Sequence, residues 1–201
     1  MSSSNPKSRI ALLGKERIVL LGTEPRNGDK LLADFELPGA WRTSRCLKSD
    51  DLRRGWVVVS TLPNIKSNAC SSQILDLEEG MLGFERRPLL FHVSADAPTN
   101  WREVGEFHPT LRSPGYTLSG ANGDAFALAF GVAVSGHRRI AHGLFALLEG
   151  VFVVVEIPHD QMTTPPVRPF LEELKKAMQC VQEFRGVRHY DVPRRQPDDW
   201  R

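Results

Sequence analysis

Trp56-Val57-Val58-Val59-Ser60-Thr61-Leu62, closed by Pro63, is dominated by β-branched residues that are apolar at consecutive positions. A strand with water on one face alternates apolar and polar residues, so a continuous run of this kind marks a strand buried on both faces. Pro63 ends it because proline has no N–H to give to a ladder. Directly afterwards Cys70, Ile74, Leu77 and Met81 recur at steps of four, three and four, which is one face of a helix, and Asp76, Glu78 and Glu79 are left for solvent. Leu89 to Ser94 and Val151 to Val155 repeat the buried-strand pattern. Phe170, Leu174, Ala177, Val181 and Phe184 stripe a C-terminal helix over about 168–185. A sheet covered on both faces needs a layer on each side. The predicted fold class is therefore α/β, a three-layer sandwich with a mixed central sheet and helices on both faces.

Around this frame, Ile18 to Leu21 and Ala33 to Leu37, with Asn27-Gly28-Asp29 as turn chemistry between them, predict an N-terminal hairpin. Residues 1–9 read as a flexible start, 10–185 as one domain and 186–201 as a loose tail without an apolar period. At 201 residues the chain is long enough for one domain with a substantial core. Its 26 basic and 24 acidic residues are scattered and give a net charge of +2, so no stripe for tracking phosphates is present and nucleic acid is not an expected partner. The apolar runs fall far short of the roughly 20 residues that cross a bilayer, and Met1 to Lys7 lack the pattern of a secretory signal. Cys46, Cys70 and Cys180 form an odd set with no CxxC spacing, which fits neither a disulfide framework nor a zinc site. A reducing cytoplasm is the expected location.

The chemistry centres on Cys70. It falls in the first turn of its predicted helix, where unpaired N–H groups and the positive end of the macrodipole favour a thiolate over a thiol. Ser67, three residues earlier, is placed to cap that helix. Spacing alone leaves a second reading open, a small core cysteine on an apolar helix face. Cys46 and Cys180 read as buried structural cysteines. His137 and His142 are five apart rather than the four that would put two ligands on one helix face, so no metal or cofactor is expected. Gly120-Ala121-Asn122-Gly123 is a turn without phosphate-loop context, and Trp101, Phe107 and Tyr116 read as packing.

Pro63-Asn64-Ile65-Lys66-Ser67-Asn68-Ala69-Cys70 resembles the peroxiredoxin signature of Pro, three residues, Thr or Ser, two residues and Cys after a strand. Neighbouring segments are similar to the bacterial thiol peroxidase branch. They are Gly28-Asp29 with Asp34-Phe35, although Ala33 stands where proline is usual; Val93-Ser94-Ala95-Asp96-Ala97-Pro98; Phe130 to Val134; and Gly150 to Val154. The resemblance spans about residues 10–184 and implies a thioredoxin-like fold with peroxiredoxin additions. It further implies a peroxidase in which a Cys70 thiolate attacks a hydroperoxide and becomes a sulfenic acid. Ser67 would then hydrogen-bond peroxide and thiolate, and Pro63 would shield the sulfur. The implied partners are hydrogen peroxide or a small organic hydroperoxide, a thioredoxin-like protein or low-molecular-weight thiol as reductant, and a second copy in a homodimer.

Two departures qualify the resemblance. The helix after Asp96, where such enzymes place a resolving cysteine, reads Thr99-Asn100-Trp101-Arg102-Glu103-Val104-Gly105, which implies a one-cysteine mechanism. The family also sets an arginine just before its Val-Phe-Val-Val strand, and that place falls at or near Glu149, where a carboxylate opposes a thiolate. The Ser135 to Leu148 segment reads as a longer loop, from which Arg138 or Arg139 could fold back into that role. The alternative function is a non-catalytic binding or redox-sensing protein that kept the fold and the cysteine.

Overall fold

In the computed structural model, residues 8–107, 110–119 and 123–184 are described. In chain order, β1 (Ser8–Leu13) and β2 (Glu16–Leu21) precede the short strands β3 (Glu36–Leu37), β4 (Gly39–Trp41) and β5 (Leu47–Lys48). The middle of the chain forms β6 (Trp56–Leu62), α1 (Asn68–Gly80), β7 (Leu89–Ser94), α2 (Pro98–Phe107) and β8 (Gly115–Thr117). It continues as α3 (Gly123–Ala129), β9 (Ala133–Val134), β10 (Gly143–Leu148), β11 (Val151–Glu156) and α4 (Val167–Phe184). The main sheet runs β11-β10-β6-β7-β8-β4, with β6, β7 and β8 parallel. β10, β11 and β4 pair antiparallel with their neighbours.

Consecutive valines of β6 belong to different cores, which is why that strand is apolar throughout. Val57 and Val59 join Phe91, Phe145, Leu147 and the α3 side chains Phe126 and Ala127 on one face. Val58 joins Leu77 of α1 and Phe170, Leu171 and Leu174 of α4 on the other. Each such valine is fully buried, a burial worth roughly 1.5–3 kcal/mol before conformational entropy offsets it. A third cluster, at the C-terminal end of β6, joins Leu62, Ile65, Cys70 and Ile74 to Trp101 and Val104 of α2 and to Leu111. Helices on both faces of a mixed sheet match the fold class read from the sequence.

Four local expectations are corrected. The N-terminal hairpin pairs β1 with β2, whereas Glu36-Leu37 pairs with Leu47-Lys48; Gly14, at φ 64, supplies the left-handed turn residue that joins β1 to β2. The segment read as a loop from Ser135 to Leu148 contains β10, an inner strand of the sheet. Its Leu and Ala residues lack the β-branched signature, but the turn after it, Glu149-Gly150 with φ 52 and 79, has the two left-handed residues of a tight hairpin. Glu78 is buried rather than solvated, because its carboxylate accepts the Arg112 and Ser113 amides at 3.0 and 2.6 Å and pairs with Arg87 at 3.0 Å. Neither Cys46 nor Cys180 is buried: Cys180 is exposed on α4, and Cys46 is half-buried just before β5. Of the expected flexible start at 1–9, Ser8 and Arg9 belong to β1, while residues 1–7, most of the Gly120 to Gly123 turn, the expected tail from 186 and the Phe107 side chain lie outside the described residues.

Candidate active site at the C-terminal end of β6

β6 ends at Leu62, and half-buried Pro63 turns the chain into a short loop in which the Ser67 amide donates to the Asn64 carbonyl at 2.9 Å. Ser67 then has the extended backbone of an N-cap, and its hydroxyl accepts the Cys70 N–H at 3.2 Å. That bond satisfies one of the four free donors of a helix start, and it holds Cys70 in the first turn of α1. The capping bond thus holds Ser67 and Cys70 together through local structure alone.

The thiol is fully buried in the apolar cluster with Ile65, Trp101 and Val104. Burial pushes the Cys70 thiol above its ordinary pKa, against the Ser67 hydroxyl and the Asn64 backbone, which favour the thiolate; the Asp96 charge adds to the rise. Asp96 is held by the Ile65 amide at 2.9 Å and the Ser94 hydroxyl at 2.6 Å.

The register of β10 decides what faces the sulfur. Gly143 pairs with Thr61 and Leu148 with Trp56, so the residue before β10 arrives beside the Cys70 end of β6 and the residue after it departs from the other end. The first is His142, whose Nε2 lies 3.9 Å from Cys70 Sγ. The second is Glu149, removed from the thiol by the length of β10, on the order of 20 Å, and lining a surface cleft with Lys30, Leu31 and Leu32. The expected opposition between Glu149 and Cys70 is therefore corrected. Arg138 and Arg139 are exposed in the turn after β9, and among the described residues neither side chain makes a hydrogen bond or ion pair with the site. His142, absent from the candidate residues, occupies the position beside the sulfur. The antiparallel hairpin signal at Glu149-Gly150 was the clue that could have carried the chain back to it.

His142 is itself fixed. Its Nδ1 lies 2.7 Å from Gln73 Oε1 and its backbone N–H donates to Gln161 Oε1 at 2.6 Å. Gln73, one turn after Cys70, is buried, and its Nε2 donates to Ser60 Oγ at 2.9 Å and to the Thr61 and Gly143 carbonyls at 3.3 and 3.4 Å. Burial depresses the His142 pKa to about 4, so the ring is neutral at pH 7. A neutral imidazole beside a helix-start thiol can accept its proton, and thiol and imidazole together can carry a nucleophilic step.

The three-dimensional likeness decides the architecture. A thiol peroxidase from Chromobacterium violaceum superimposes with a TM-score of 0.71 at 15% identity, covering 85% of this chain and 98% of that one. The fold is that of the peroxiredoxins. A peroxiredoxin-like protein from Aquifex aeolicus superimposes with a TM-score of 0.70 at 17% identity over 86% of this chain and 99% of that one. Enterococcus faecalis AhpC does so with a TM-score of 0.66 at 20% identity over 81% and 97%. No family model and no curated protein matches the sequence. Within this peroxiredoxin fold, no described helix is long and apolar enough to cross a membrane.

Proposed function

We propose that the protein is a thiol peroxidase of one-cysteine type, belonging to the thiol peroxidase branch of the peroxiredoxins. Cys70 reduces hydrogen peroxide or a small organic hydroperoxide and becomes a sulfenic acid. The observation that carries this reading is the seat of Cys70, at the start of a helix capped by Ser67 and beside a neutral imidazole. Attack by sulfur on the outer oxygen breaks the O–O bond and leaves water or an alcohol. Pro63 shields the sulfur from the loop side, and the complete burial of the thiol favours small peroxides over bulky ones. A thioredoxin-like protein or a low-molecular-weight thiol then returns Cys70 to the thiol.

The test is peroxide consumption by the purified, reduced chain. Cys70→Ser abolishes it, whereas the double variant Cys46→Ser/Cys180→Ser keeps most of it; a folded but inactive double variant overturns the one-cysteine reading. The complete burial of Cys70 favours a second reading, a redox sensor on the same fold. A sensor reacts once per Cys70 and does not turn over when a reducing thiol is added in excess.

A further inference from the structure

We propose that Cys70, His142 and Gln73 form a proton relay in which His142 is the base and acid of the thiol chemistry and Gln73 is its positioning residue. The inference deepens the peroxidase reading and rests on it only for the peroxide step. The hydrogen bonds fix its direction. Gln73 Nε2 faces the Thr61 and Gly143 carbonyls, which only accept, so the amide nitrogen must point there and Oε1 must point at His142. Oε1 accepts only, so His142 carries its proton on Nδ1, and the lone pair of Nε2 is turned toward Cys70 Sγ at 3.9 Å. That distance is long for a resting thiol–imidazole bond, and such bonds shorten when substrate arrives. The ring's backbone is anchored separately by Gln161, whose own Nε2 donates to the Pro158 carbonyl at 2.5 Å.

The step balances. The Cys70 S–H proton passes to Nε2 and the sulfur lone pair forms an S–O bond to the outer peroxide oxygen as the O–O bond breaks. The departing oxygen takes the proton back from His142. One thiol and one hydroperoxide become one sulfenic acid and one alcohol or water; sulfur is oxidised by two electrons, the peroxide is reduced by two, and His142 ends as it began. Around the pair, α1 contributes the neutral Ser67 and Gln73, and the segment before α4 contributes the neutral Gln161. α2 contributes the apolar Trp101 and Val104, and the turn after β7 contributes Asp96, whose charge bears on Cys70. Lys66 pairs with Glu103 on the exposed rim. Asp96 opposes a free thiolate, so a base that takes the proton only as the sulfur reacts is the route open at neutral pH.

The test follows the rate at Cys70 by site-resolved mass spectrometry on the full wild-type chain, with iodoacetamide and with hydrogen peroxide, across a wide pH range. The relay predicts a plateau that begins at about pH 5, once His142 is neutral, and ends only where free thiolate forms, above the ordinary cysteine range because burial raises the Cys70 thiol. In His142→Gln the plateau vanishes, the rate at neutral pH falls on the order of 10²-fold and then climbs about tenfold per pH unit. Gln73→Met, which keeps the volume of Gln73 but removes the acceptor for Nδ1, lowers the plateau without loss of fold. A wild-type rate that climbs tenfold per unit throughout, or a plateau that survives in His142→Gln, overturns the relay. The imidazole nitrogen chemical shifts of wild type decide the matter without any variant: a proton on Nδ1 at pH 7 is required, and a proton on Nε2 overturns it. A plateau with iodoacetamide but no reaction with peroxide leaves the relay standing and removes the peroxidase.

Discussion

Gln73 Oε1 and His142 Nδ1 lie 2.7 Å apart although 69 residues of chain separate them. The contact joins α1 to the head of β10, and it turns the open nitrogen of the ring toward the sulfur of Cys70. The site is thus assembled by the pairing of β10 with β6 as much as by the loop that presents the cysteine.

Glu149 departs from the far end of β10, so Glu149→Arg leaves the pH dependence of Cys70 alkylation superimposable on wild type. Arg138→Ala and Arg139→Ala do the same, since both side chains are exposed and neither is bonded to the site among the described residues. Iodoacetamide alkylation against pH on the three variants checks this. A shift in the Cys70 profile in any of them contradicts the placement.

Ser67→Ala removes the hydroxyl that accepts the Cys70 amide at 3.2 Å. The lost cap costs about 1 kcal/mol of stability. Because the same hydroxyl favours the thiolate, the alkylation midpoint of Cys70 moves to higher pH. Thermal melts and the alkylation profile read the two effects separately, and Ser67→Thr retains both functions.

Burial pushes the Glu78 carboxyl upward, but the His92 ring beside it and the Ser113 hydrogen bonds outweigh burial and hold it at about 2 against an ordinary 4.5. A carboxyl with a depressed folded pKa stabilises the fold above its unfolded pKa, and that stability is lost as pH falls through the folded one. At about 1.4 kcal/mol per pKa unit the contribution is about 3 kcal/mol at neutral pH. Urea melts of wild type should therefore weaken between about pH 5 and 2. Glu78→Gln should start less stable and lack that part of the acid slope.

Peroxide treatment should leave Cys70 as a sulfenic acid trapped by a carbon nucleophile such as dimedone. Cys70 is buried, Cys180 is exposed on α4 and Cys46 lies before β5, and all three are free thiols. Peptide mass spectrometry checks the product. A dominant disulfide from Cys70 to Cys46 or Cys180 contradicts the one-cysteine mechanism.

Local patterns made much of this legible. The valines of β6, the stripe of α1 and the Ser67 cap with Cys70 in the first turn depend on residues near each other in the chain, and the structure has each of these where the sequence puts it. Glu78 occupies a polar face by helical spacing, yet it is buried because Arg87 and the Arg112 and Ser113 amides come to it from other segments. His142, read in the sequence only as a poor metal ligand beside His137, is not recognisable as the neighbour of Cys70 for the same reason. Its neighbour Cys70 is 72 residues away, and the contact exists only through the register of a strand built from Leu and Ala, which carries little signal of its own.

The most direct test of the account is the second-order rate of the reduced wild-type chain with hydrogen peroxide at pH 7, followed by stopped flow through the fluorescence of Trp101, which shares the Cys70 cluster, with Cys70→Ser as the blank. With His142 to take and return the proton, Cys70 should react on the order of 10²-fold faster than free cysteine at the same pH, with one peroxide consumed per chain. A rate equal to or below that of free cysteine, or a fluorescence change that persists in Cys70→Ser, contradicts it.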